Sequence, residues 1–178
     1  KGGYGIIITE DFAVTRTAGA SKTLAGLWED RQVEPWRVFT DRIHKAGAKT
    51  IAQIYHAGRE TSSQITGEQP IAPSAIKDPT MPEAPREMSI DEIHDLEKAF
   101  VDAALRAKAA GFDGVEVHGA HGYLINQFVS PFSNKRCDEY GGTTENRTRF
   151  PREIIQAIRS AAGGDFPIFY RMSSEEYV

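Results

Sequence analysis

Four short apolar runs recur along this chain, and the segments between them include stretches with helical periodicity. The runs centre near Ile7, Ile51, Val115 and Ile168. When strands alternate with helices, each helix serves as a crossover connection, and such connections make neighbouring strands parallel. The alternation therefore predicts an α/β fold built on a parallel sheet.

Three segments have the apolar spacing of amphipathic helices. They are Pro35 to Ala46, the segment that starts at Ser89 and stops at Gly111, and roughly Arg149 to Ala162. Ser89 and Glu92 form an S-x-x-E capping box, and Met88 and Ile93 are placed as the hydrophobic staple around it. These signals predict that the second helix begins at Ser89.

The stretch from Gly58 to Glu87 is polar, rich in proline and without a sustained period. It predicts a long loop. Loops of such length within a compact domain are usually functional or disordered, so two interpretations remain open: a functional loop, or a mobile surface excursion.

Two histidines and a tyrosine follow the run near Val115: His118, His121 and Tyr123. Side chains at the carboxyl ends of parallel strands project into the crevice where ligands bind. Two neutral imidazoles can each donate one N–H toward a common oxygen, and tyrosine keeps its proton at neutral pH. This combination favours polarising a carbonyl and supplying a proton.

Other interpretations of these three residues stay open. The histidines could bind a metal ion, although no carboxylate or cysteine stands at a fixed offset to serve as the third ligand. They could also be structural histidines with satisfied hydrogen bonds, and Tyr123 could simply pack its ring under the loop.

The stretch from Gly111 to Arg147 resembles the Old Yellow Enzyme family of flavin-dependent ene-reductases. The positions in register with the family pattern are His118, His121, Gly122, Tyr123, Leu124, Gln127, Phe128, Ser130, Pro131, Asn134, Arg136, Asp138, Tyr140, Gly141, Gly142, Asn146 and Arg147. The family fold is the (β/α)8 TIM barrel, so the resemblance implies that fold for this chain.

The resemblance extends to the other strand ends. It implies that Gln53 hydrogen-bonds the flavin pyrimidine edge and that Arg171 lies against the N1 and C2 carbonyl region. After the second barrel strand, Glu10 and Asp11 stand where the backbone meets the flavin. Many relatives have Glu followed by Gly or Ala there, so Asp11 is a departure from the pattern. His56 and Arg59 match a family string, and we expect a structural role for both.

The activity implied by the resemblance is reduction of the C=C bond of α,β-unsaturated carbonyl or related compounds, with FMN as cofactor and NADH or NADPH as reductant. His118 and His121 would bind the substrate oxygen, and Tyr123 would donate a proton to the α-carbon. Hydride would come from the flavin.

A TIM barrel typically takes roughly 250 residues, and this chain has 178. The family pattern assigns its strands to barrel strands two to five, which predicts a partial FMN oxidoreductase domain over residues 1–178 that lacks the first strand and the last three. A partner chain, an oligomer or further sequence of the same protein would then cover the open edges. We expect such a partial barrel to bind FMN poorly by itself. Two alternatives to the enzyme are a non-catalytic fragment or partner subunit, and a metal-dependent barrel enzyme.

Composition limits the classes of partner. The net charge is −4, which disfavours nucleic acid, and no apolar run approaches the length of a membrane span. The single Cys137 excludes an internal disulfide and weakly indicates a reducing compartment. These features predict a cytoplasmic protein that acts on small molecules.

Overall fold

A computed structural model describes residues 2–176 as alternating strands and helices. In chain order they are β1 (Ile6–Ala13), a 3-10 turn (Asp30–Gln32), α1 (Val33–Lys45), β2 (Lys49–Tyr55), α2 (Ser63–Thr66), β3 (Ile71–Ala72), β4 (Arg86–Glu87), α3 (Ile90–Ala109), β5 (Gly114–Gly119), α4 (Leu124–Val129), α5 (Thr144–Arg147), α6 (Arg149–Ala162) and β6 (Ile168–Met172).

The main sheet is parallel throughout, with the strand order β1-β2-β5-β6. Helices α1, α3 and α6 connect successive strands of this sheet. The alternation predicted from the sequence is therefore confirmed. All carboxyl ends of the strands lie along one edge, where the loops that follow them meet.

Alternate side chains of the central strands pack against the helices. Ile54, Val115 and Val117 are fully buried in one core with residues of α3 and α6. In that core the rings of Phe100 and Phe150 lie 6.4 Å apart with their planes nearly perpendicular. Since the helices cover this face of the sheet, the opposite face, which we call the inner face, is the one available to a ligand.

The helices begin where the sequence signals predict, with one exception. The Ser89 hydroxyl accepts a hydrogen bond from the Glu92 N–H, and the Glu92 carboxylate accepts one from the Ser89 N–H, as the capping box predicts. Helix α1 begins at Val33 rather than at Pro35. A proline in the first turn loses no intrahelical hydrogen bond, because the N–H groups there have no partner within the helix.

The first strand is longer than predicted. The apolar run near Ile7 predicts a short strand that ends before Glu10, whereas β1 continues to Ala13. Its register with β2 shifts between Ile8 and Asp11. This bulge contains the polar residues in the middle of the strand. Because of it, the Phe12 side chain points to the helix-covered face and is buried in the core.

The proline-rich stretch from Gly58 to Glu87 has more structure than the prediction of a long loop implied. It contains α2 and the short parallel pair of β3 and β4. The buried Arg136 guanidinium donates to the carbonyls of Pro73 and Met88, at 3.1 and 2.7 Å. These long-range contacts anchor the stretch, and local periodicity does not reveal them.

Both outer strands expose apolar side chains on the part of the chain that the structure describes. Ile6 and Ile8 of β1 and Phe169 and Met172 of β6 are each at least two-fifths exposed. The outer strands are therefore open within residues 2–176, and a covering element stays a prediction. No helix within residues 2–176 is both long and apolar enough to cross a bilayer.

A carboxyl and phenol cluster joins α3 to α6. The Tyr140 hydroxyl contacts Glu153 of α6 at 2.8 Å and Glu97 of α3 at 3.5 Å, and His94 lies 3.2 Å from the same oxygen. Burial and the neighbouring Glu153 raise the pKa of Glu97 to about 8. Glu97 is therefore protonated in the folded protein at neutral pH.

We predict that Glu97→Gln makes stability less dependent on pH. The folded pKa lies above the unfolded value, so the stabilising effect of the proton is complete below about pH 4.5 and is lost as the pH rises toward 8. Urea unfolding of the wild type should show this decline, and the variant should show a smaller one. The exposed Glu139→Gln is the control. Parallel pH profiles for the wild type and Glu97→Gln would contradict the assignment.

Candidate active site

The strand register gathers polar side chains on the inner face at the carboxyl edge. Gln53 of β2 is in register with Glu116 of β5, and His118 of β5 with Arg171 of β6. Residues in register on parallel strands point to the same face. Because of the bulge, Asp11 of β1 is in register with Gln53 and joins this group. The ends of β1, β2 and β6 thus each bring a polar side chain to the face on which His118 of β5 lies.

His118 is a neutral hydrogen-bond donor at the centre of this group. It is 2% exposed, and burial lowers its pKa to about 4, with further lowering from the charges of His121 and Arg171. Its Nδ1 accepts the Ala120 N–H at 3.2 Å. A neutral imidazole carries one proton, so Nε2 bears it. The Nε2–H group is therefore free to donate to a ligand oxygen.

A tight turn brings His121 back beside His118. His121 and Gly122 both have positive φ, at 60° and 80°. The His121 N–H donates to Ser173 Oγ at 3.1 Å, and the Gly122 N–H to Asn126 Oδ1 at 2.9 Å. The two imidazole rings lie 4.9 Å apart at 77°. Left-handed backbone at a non-glycine residue is strained, and here the turn places an exposed imidazole next to a buried one.

Tyr123 completes the cluster and is protonated. Its ring packs edge-on against His118 at 5.1 Å and against Tyr55 at 5.0 Å. Burial raises the pKa of Tyr123, and the negative charges of Asp11 and Glu60 raise it further. The phenol thus keeps its proton at neutral pH, which a proton donor requires.

The remaining predicted residues occupy different environments. Gln53 is buried and its Nε2 donates to Glu116, which leaves the amide oxygen to accept. Arg171 is exposed at the end of β6, and Glu10 is exposed within the bulge of β1. The structure thus brings together His118, His121 and Tyr123 closely, with Asp11, Gln53 and Arg171 on the same face.

His56 and Arg59 are both buried in the loop after β2. His56 Nδ1 accepts the Gly58 N–H at 2.9 Å. The Arg59 guanidinium lies 3.9 Å from Asp78 and stacks over the Phe132 ring at 5.7 Å. These contacts favour the structural role expected for both residues.

Gln127 is a positioning residue whose role the sequence did not reveal. Its Nε2 donates to the Ala57 and Gly122 carbonyls at 3.1 and 2.6 Å, and its Oε1 accepts the Arg59 N–H at 3.1 Å. One buried amide therefore fixes the loop after β2 against the histidine turn. The family string includes Gln127, but only the tertiary contacts show what it holds.

An open cavity of about 410 Å³ lies beside the turn. His121 and Gly122 line one part of it, and Arg59, Asp78 and Phe132 line another. The stretch from Gly58 to Glu87 thus forms part of the cavity wall. Within residues 2–176, no three His, Cys, Asp or Glu side chains are grouped to hold a metal ion.

Comparison with known proteins gives one consistent result. The family described as NADH:flavin oxidoreductase / NADH oxidase matches residues 1–178. An NADH oxidase of Thermoanaerobacter brockii is 47% identical over 180 residues, which cover 100% of this chain and 28% of that protein. An NADPH dehydrogenase of Clostridium acetobutylicum is 43% identical over 176 residues, which cover 99% of this chain and 51% of that protein.

Solved structures agree with this result. Morphinone reductase superposes with a TM-score of 0.89 at 34% identity, over 94% of this chain and 49% of that one. An Old Yellow Enzyme homologue from Zymomonas mobilis gives 0.90 at 36% identity, over 94% and 49%. The TIM-barrel prediction is confirmed for the part of the barrel that this chain contributes. The chain spans about half, or less, of the length of these relatives.

We predict that His118 stays neutral, with its proton on Nε2, down to about pH 5. The pKa near 4 and the Ala120 N–H contact require it. Nitrogen-15 NMR of labelled imidazoles, with His118→Gln to assign the signal, measures the protonation state and the tautomer. A His118 signal that titrates near pH 6.5, the usual value for histidine, would contradict the buried donor.

Proposed function

Because the chain belongs to the NADH:flavin oxidoreductase / NADH oxidase family, we propose that the complete protein is an FMN-dependent enzyme. It uses NADH or NADPH to reduce the C=C bond of α,β-unsaturated carbonyl or related electrophilic compounds. The observation that carries the proposal is the pairing of a neutral, buried donor, His118, with a protonated phenol, Tyr123, at one strand end. The relatives named NADPH dehydrogenase and morphinone reductase support it.

The polar side chains on the inner face fit FMN. Gln53 presents an amide oxygen that can accept from the imide N–H of a flavin, and Arg171 presents a guanidinium suited to its electron-rich edge. We propose these two residues as cofactor ligands, with Glu10 and Asp11 at the neighbouring edge. When bound, FMN supplies the hydride chemistry that no side chain of this chain provides.

His118 and His121 hold the substrate oxygen in this proposal. The Nε2–H of His118 donates to the carbonyl, and His121 reaches the same oxygen from the adjacent turn. A fixed donor in a site shielded from water stabilises negative charge that develops on that oxygen. The buried imidazole needs no rearrangement to do this, because the Ala120 contact already fixes its tautomer.

Tyr123 supplies the proton. Its ring is fixed between His118 and Tyr55, so its hydroxyl lies close to a substrate whose oxygen the histidines hold. The raised pKa keeps the Tyr123 phenol protonated before the proton is transferred. After transfer, the phenolate regains a proton from solvent, which the half-buried position of Tyr123 allows.

We further propose that residues 1–178 form part of one FMN oxidoreductase barrel domain, in a cytoplasmic protein that acts on small molecules. The exposed apolar side chains of Ile8 and Met172 support a covering element at each outer strand. Further strands of the same domain, a complementing chain or an oligomer would each cover them.

Replacing Tyr123 with Phe in the complete enzyme should separate the two half-reactions. Flavin reduction by NAD(P)H should remain nearly intact, because it needs no proton from this phenol, while alkene reduction should slow by ~10²-fold or more. Stopped-flow absorbance of the flavin measures both rates. Equal losses in the two half-reactions would rule out the proton-donor role.

A further inference from the structure

Asp11 lies on the inner face beside His118 because of the bulge in β1. The register shift between Ile8 and Asp11 turns the carboxyl onto the inner face, in register with Gln53. The side chain is 20% exposed. Burial raises the pKa of its carboxyl, as do the charges of Glu10 and Glu116, while the charges of His121 and Arg171 oppose that rise. Asp11 thus places an acidic group among the ligand donors.

The carboxyl is close to the donor that binds the substrate oxygen. Asp11 Oδ1 lies 3.9 Å from His118 Nε2, too far for a hydrogen bond. That is its one ionic contact within 4 Å among residues 2–176, and His118 is neutral. The carboxylate therefore has no cation in direct contact and accepts no hydrogen bond from any residue that the structure describes.

The influence of this charge reaches the whole cluster. It raises the pKa of Tyr123 and contributes to raising that of Tyr55, and it interacts with His121, Arg171 and Glu116. A ligand oxygen that accepts from His118 Nε2 would lie within several ångströms of the carboxylate. At that separation, two negative charges in a partly buried site repel each other strongly.

We propose that Asp11 sets the charge selectivity of the site, so that it binds neutral carbonyl compounds in preference to carboxylates. The inference rests on the proposed function, because it takes His118 and His121 as the ligand donors. A neutral carbonyl oxygen meets little repulsion and keeps both donors. The enolate oxygen formed during reduction keeps the same two donors, and its charge is removed when Tyr123 protonates the α-carbon.

The test compares two ligands of similar shape and different charge, benzamide and benzoate, by calorimetry with the complete FMN-loaded protein. The wild type should bind benzamide more tightly than benzoate. Asp11→Asn should tighten benzoate by about tenfold and change benzamide by less than about twofold. Asp11→Glu retains the charge and should still reject benzoate. Asp41→Asn on the exposed surface of α1 removes the same charge elsewhere and should behave as the wild type.

The outcomes separate the inference from the proposed function. Unchanged benzoate affinity in Asp11→Asn, or equal gains for both ligands, would overturn the charge selectivity and leave the enzyme assignment intact. Tighter binding of benzoate than of benzamide by the wild type would also overturn it, without recourse to any variant. A protein that binds no FMN and neither ligand would overturn both proposals together.

Discussion

The parallel register of the four strands is the constraint on which the candidate site depends. Because all four strands run in one direction, their carboxyl ends share an edge, and residues in register share a face. Side chains as distant in sequence as Gln53 and Arg171 are thereby placed on one surface. The helices that cover the other face bury Val115 and Val117 and so hold the intervening residues on the inner face.

The site depends on keeping one imidazole uncharged. Burial would make any charge on His118 costly, and the Ala120 N–H occupies the ring nitrogen that faces the backbone. The result is a donor with a fixed direction. Around it stand the protonated phenol of Tyr123 and the carboxylate of Asp11, so we infer that the cluster combines donation to an oxygen with discrimination against carboxylate ligands.

Gln127 and Arg136 show how a long connection becomes part of such a site. Each is a buried polar side chain that satisfies backbone groups of the stretch between β2 and α3. Leaving these groups unpaired would cost free energy, so the two side chains define where the stretch lies. The cavity wall beside His121 is therefore positioned by side chains distant in sequence, although its own sequence has no period.

The sequence by itself determined the order of strands and helices, the start of α3 at Ser89 and the cluster of His118, His121 and Tyr123. These depend on local patterns: apolar spacing, a capping box and residues adjacent to a strand. It left open the length of β1, the course of Gly58 to Glu87 and the surroundings of Asp11. Only the tertiary structure decided these, because a bulge is defined by the partner strand and a buried loop by side chains distant in sequence. The charge that faces His118 likewise depends on which residue the neighbouring strand brings into register.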